Sequence, residues 1–176
     1  MWKDAESYVN THLGGIDKFI SVSARFEKMS RKYPSMTTVQ KQREIAVLTP
    51  QALSIVREFE REYSVRKVHL AYDYGQFGSG TFRSQNYYSS EDMLVKFQND
   101  LYNGTVSFAE YEDSYRALSS TNPAYIALVQ IAVSSMGRCL VQIGWGHITD
   151  MTREHFMRNH QSPYCIKCIP NDVYHL

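Results

Sequence analysis

Five residues able to bind metal or carry protons crowd the last part of this chain: His155, His160, Cys165, Cys168 and His175. Cys165 and Cys168 are spaced so that a tight turn would bring both thiolates to one zinc ion, and two histidines would complete the tetrahedron. The simplest ligand set is His160, Cys165, Cys168 and His175, with His155 as a substitute from the preceding helical turn. Zinc held in this way would be structural, because ligands gathered round a divalent ion release binding energy only when their segment is ordered. Three plainer readings stay open: thiols buried under the tail without a ligand, a local disulfide, and a redox pair. A thioredoxin-type pair opens a helix after a strand, whereas this one is bracketed by Pro163 and Pro170, which argues against redox chemistry. Cys139 lies inside an apolar run and reads as packing.

A second constellation is His147 and Asp150 near His155, where a base with its orienter, or the ligands of a metal-dependent enzyme, would sit on one short helix. Histidines at a helix end beside Trp145 read equally well as hydrogen-bonded cover over a core. The chain has no nucleophile elbow, no metalloprotease histidine pair, no phosphate-binding lysine motif and no dinucleotide fingerprint. Contact rather than catalysis is therefore the expected mode of action.

Two glycine-containing segments invite ligand readings. Gly104, Val106 and Glu110 occupy the glycine, apolar and final-carboxylate places of an EF-hand loop, but Leu101 stands where a ligand belongs and no second loop pairs with it. An ordinary helical hairpin explains the same residues. Gly75, Gly78 and Gly80 would expose backbone amides to an anion, yet TFRSQNYY follows them instead of a helix, which suits a hairpin connection.

Charge is distributed more tellingly than it is summed. Lysine and arginine number 19 against 18 acidic residues, so the net charge of +1 gives no whole-molecule attraction to nucleic acid or to an anionic membrane. Residues 1–67 hold 12 basic against 8 acidic side chains, and residues 68–120 hold 3 against 7. The basic half offers an RNA- or DNA-binding face in Arg25, Lys28, Arg31, Lys32, Lys41 and Arg43, with Tyr33 able to stack on a base. Glu27 and Glu44 interrupt it, and a solvated or protein-facing stripe is the competing reading. The 13 tyrosines add a candidate protein-binding surface at Tyr72, Tyr74, Phe77, Phe82, Tyr87 and Tyr88, since tyrosine brings contact area with a polar tip. Packing of these rings on neighbouring helices is the plainer alternative.

The elements that must position these residues follow from length and periodicity. A chain of 176 residues with 43% hydrophobic content can bury one core without disulfides. In GIDKFISVSARFEKMSRKY, Ile16, Phe19, Ile20, Phe26, Met29 and Tyr33 fall at helical spacing. Thr37 and Gln40 form a capping-box pattern, and Thr49 with Pro50 opens a helix whose stripe is Ala52, Val56, Phe59 and Tyr63. RKVHLAYDY alternates with period two, and with TFRSQNYY it reads as a β-hairpin over about residues 66–88. Residues 90–120 read as an αα-hairpin, AYIALVQIAVSSMGRCLVQIGW as a buried apolar helix over about residues 123–143, and Thr149 to His160 as a short helix.

The expected fold is thus mainly α (α+β), a compact helical domain over residues 1–160 carrying one inserted β-hairpin. Residues 161–176 form a C-terminal tail that zinc would stabilise. The expected function is a non-catalytic interaction or regulatory protein that binds a protein partner or forms a homo-oligomer, with nucleic acid as the alternative partner. MWKDAESYVN lacks the apolar run of a secretory leader, and polar residues interrupt the longest apolar segment, so an intracellular protein without a membrane span is expected.

Overall fold

Phe19, Ser21 and Ser23 alternate with Ile20 and Val22, and this period of two builds a strand where helical spacing had also fitted. The computed structural model describes residues 1–24, 38–72, 123–144, 147–160 and 165–169. In chain order these form α1 (Trp2–Tyr8), a π-helical stretch (Val9–Leu13), β1 (Phe19–Ala24), α2 (Thr38–Tyr63) and β2 (Lys67–Tyr72). There follow α3 (Pro123–Ser134), β3 (Cys139–Ile143), α4 (His147–Asn159) and β4 (Ile166–Ile169). The strands make one sheet in the order β2-β1-β3-β4, and every pairing is parallel.

Parallel strands need crossover helices on the sheet faces, so both faces are covered and the strands are apolar enough to be buried. Register puts Ile20, Val68 and Cys139 in one row and Val22, Leu70 and Val141 in the next, all on one face. Helix α2 covers that face with Leu48, Ala52, Val56 and Phe59, a stripe at helical spacing. It runs unbroken through Pro50, where two separately capped helices were expected. Burial of Leu48 and Ala52 on either side of the proline offsets the roughly 3 kcal/mol that an internal proline costs a helix. The opposite face carries α1, the π-helical stretch and α3 over Phe19, with Tyr8, Leu13, Val129 and Val133 as the second cluster. Tyr125 on α3 donates its hydroxyl hydrogen to Asp4 on α1, which ties those helices together and holds the Asp4 carboxyl below its ordinary range.

This architecture corrects the mainly helical expectation. The segment read as a helix from Ile16 to Tyr33 contains β1, the centre of the sheet. The hairpin expected over residues 66–88 is not what β2 makes, because Lys67–Tyr72 pairs in parallel with β1; residues 73–88 lie outside the described residues. The single apolar helix expected over residues 123–143 is two elements, α3 and β3, joined through Ser135 to Arg138. A strand buried on both faces reads as an unbroken apolar run, indistinguishable by periodicity from a buried helix. Gly137 permits the turn: a Cβ there would meet Ser21 Oγ at 2.8 Å and the Phe19 carbonyl oxygen at 3.2 Å. The αα-hairpin over residues 90–120 lies outside the described residues. Part of the expected tail, Ile166–Ile169, is the fourth strand and pairs with β3.

Candidate functional site

Strand β1 lies between β2 and β3, so the chain crosses from β1 to one side and later returns to fill the other. Where strand order reverses in this way, neighbouring connections diverge at the carboxyl ends of the strands and leave a crevice. Three connections depart from this edge: residues 25–37 after β1, 73–122 after β2 and 145–146 after β3. Connections at the opposite edge are short, with β2 starting soon after α2 ends at Tyr63 and β3 soon after α3 ends at Ser134. Helices α2, α3 and α4 therefore turn their amino ends, whose first N–H groups have no partner within the helix and carry a partial positive charge, toward the carboxyl edge.

The floor of that edge is polar on one face. Register places Ser23, Gln142 and Cys168 side by side on β1, β3 and β4, and both Ser23 and Gln142 are buried at 4% exposure. The Cys168 thiol donates to Gln142 Oε1 at 3.5 Å. Gly144 closes β3 at φ 86°, a left-handed conformation suited to glycine, and its N–H donates to the Ile169 carbonyl at 3.2 Å. The α2 side of the same strands is apolar throughout its described core, so polarity is confined to one face.

The basic residues singled out from sequence follow directly from the end of β1. Arg25, Lys28, Arg31 and Lys32 lie outside the described residues, and Lys41 and Arg43 belong to the first turns of α2, where only the backbone is described. Among the aromatic residues, Tyr72 ends β2; Tyr74, Phe77, Phe82, Tyr87 and Tyr88 lie outside the described residues. In the sequence, the first set runs from the end of β1 into α2 and the second begins at the end of β2.

The tail residues are not brought together. Cys165, at the amino end of β4, is buried beside Tyr63 and Cys139 on the α2 face, whereas Cys168 meets Gln142 on the other face. The spacing that serves a tight turn instead sends the two thiols to opposite faces of an extended strand. His160 Nε2 donates to the Ser135 carbonyl at 3.2 Å, and Nδ1 stands 3.3 Å from Asp17 Oδ1, at the far edge of the sheet. His175 lies outside the described residues. Among the described residues no group of three or more histidine, cysteine or acidic side chains is placed to hold a metal ion.

The constellation of His147, Asp150 and His155 is also dispersed. Asp150 pairs with Arg153 at 3.6 Å, and the His155 ring stands edge-on to Trp2 at 5.6 Å. Five residues apart on a helix, the two point in directions roughly 140° apart. His147 starts α4, and its side chain is outside the described set.

At the amino edge lies a feature that the sequence did not signal. An open cleft of about 870 Å³ is lined by Lys18, Arg66, Lys67 and Arg138, with Asp17 and Glu62 as its acidic members. Asp17 and Ser64, also in its wall, hold left-handed backbone at φ 62° and 56°. The Arg138 guanidinium lies 5.2 Å from the centre of the Tyr63 ring, and Lys67 Nζ donates to the His12 carbonyl at 3.2 Å. The Tyr63 hydroxyl is held far above the ordinary phenol range by hydrogen bonding to Cys165 and to Glu62. These residues come from turns far apart in sequence, and only the Gly14-Gly15 pair hints at one of them.

No helix among the described residues is long and apolar enough to cross a membrane. No known protein-family model matches the chain, and a search of curated proteins finds none that matches it. The candidate site therefore rests on geometry alone: a parallel sheet whose strand order reverses at β1, with the amino ends of three helices turned toward one edge.

Proposed function

We propose that this domain acts by binding, and that its working surface is the carboxyl edge of the sheet, where it takes a phosphate-bearing polymer, RNA or DNA. The observation that supports the reading is the position of the basic segment. Arg25, Lys28, Arg31, Lys32, Lys41 and Arg43 fall in the stretch that leaves β1 at the strand-order reversal and enters α2. Phosphates are favoured near helix amino ends and near clustered lysine and arginine, and three helices turn their amino ends to this edge. Several tyrosines follow β2 in the sequence, and tyrosine is a residue type on which unpaired bases stack.

The test is fluorescence anisotropy with labelled single-stranded RNA and DNA, titrated at several salt concentrations. Affinity falls as salt rises, and replacing Lys41 and Arg43 with glutamine lowers the salt slope by about one for each phosphate no longer neutralised. Absence of binding at low salt, or binding indifferent to salt, overturns the reading. A protein partner or a second copy of the chain is the competing occupant, and sedimentation across concentration detects self-association directly.

A further inference from the structure

We infer that the cleft at the amino edge of the sheet is a second and separate binding site, for a small organic phosphate monoester. Cations outnumber carboxylates four to two in its lining. Glu62 accepts from the Tyr63 hydroxyl, and an Asp17 oxygen stands 3.3 Å from His160 Nδ1, a contact that is an ion pair only when the ring is protonated.

Part of the positive charge has a purely architectural use. Helices α2 and α3 and the π-helical stretch all end at this edge, and cations stabilise the exposed carbonyls of helix carboxyl ends. Lys67 does so, through its bond to the His12 carbonyl, and is set aside. Arg66 also acts on Glu60 of α2. Lys18 and Arg138 remain, and both side chains are exposed.

Arg138 carries the chemical argument. A guanidinium resting against an aromatic ring keeps its five N–H groups directed outward in its own plane, a fork that matches two phosphate oxygens. Its backbone is fixed as well, because its N–H donates to the Phe19 carbonyl at 2.7 Å. Lys18 supplies the point charge from the neighbouring turn. The volume of the cleft suits a ligand of nucleotide size.

Calorimetric titration of the full chain at low salt, with AMP and with adenosine as its uncharged counterpart, tests the assignment. AMP binds and adenosine binds at least tenfold more weakly. Arg138→Gln and Lys18→Gln each weaken AMP binding several-fold with an unchanged thermal midpoint, since both side chains are exposed. Lys41→Gln with Arg43→Gln leaves AMP affinity unchanged, which separates this cleft from the carboxyl edge. No AMP binding at millimolar concentration, equal binding of adenosine, or affinity indifferent to Arg138 and Lys18 overturns the proposal.

Discussion

The Oγ of Ser21 lies 2.8 Å from the point where a β-carbon on residue 137 would stand, so β1 and the turn before β3 meet at a contact only glycine allows. The Phe19 carbonyl closes the other side at 3.2 Å and is anchored by the Arg138 N–H. Gly137→Ala is therefore expected to cost about 1–3 kcal/mol, the range for forcing a methyl group into a packed interior. Urea denaturation monitored by circular dichroism reads this directly, and an unchanged midpoint would show that β1 shifts freely.

Ser21 itself contributes little. Its hydroxyl is fully buried and has no hydrogen-bond partner among the described residues, so it bears a desolvation cost with nothing in return. Ser21→Ala is expected to leave stability unchanged or raise it by up to about 1 kcal/mol, and to recover part of the loss when combined with Gly137→Ala, since the Phe19 carbonyl still crowds the new methyl group. A clear destabilisation by Ser21→Ala would reveal a partner for that oxygen.

Thiol accessibility separates the three cysteines. Cys168 is exposed while Cys139 and Cys165 are buried, and burial pushes the Cys139 thiol far up. Mass spectrometry after brief alkylation of the native protein is expected to find one label, on Cys168, with labelling of the others only after unfolding. A zinc ion shared by Cys165 and Cys168 would require β4 to leave the sheet. Alkylation of Cys168 at the same rate with and without a chelator is accordingly the expected result, and protection lost on chelation would restore the zinc site.

His69 gives the fold an acid sensitivity. It is buried between Tyr8 and Phe19, and burial pushes its imidazole down to about 3. Above the unfolded value near 6.5 both states are neutral and pH has no effect through this residue. Below it the unfolded chain binds a proton that the folded chain refuses, so stability falls by up to about 1.4 kcal/mol per pH unit. Denaturation between pH 6.5 and 5 is expected to show a slope that flattens in His69→Gln, and identical slopes would place His69 in contact with solvent.

Helices with one wet side were legible in the sequence. The stripe of Ala52, Val56 and Phe59 faces the sheet, and α4 occupies nearly the residues its spacing suggested. Strands buried on both faces were not. Cys139–Ile143 continues the apolar run of α3, and the turn between them is marked only by Gly137. Phe19 and Ile20 satisfied a helical pattern because neighbouring apolar residues happened to fit it. The alternation in β2 was visible, but its partner was assigned to the next segment because parallel pairing joins residues far apart in the chain. The basic segment was visible as composition, whereas its place at the strand-order reversal depends on topology. The amino-edge cleft, assembled from separate turns, left almost no local mark.

The position of β1 at the middle of the sheet has a consequence for biogenesis. This strand is made well before Cys139–Ile143, so one of its two edges waits for that later strand. Until then Ile20 and Val22 stand beside an open row of backbone donors and acceptors, a template for wrong pairing. Translation products that stop short of residue 143 should therefore be prone to clump, and late β-pairing should make this fold a slow one to form and one that profits from a chaperone.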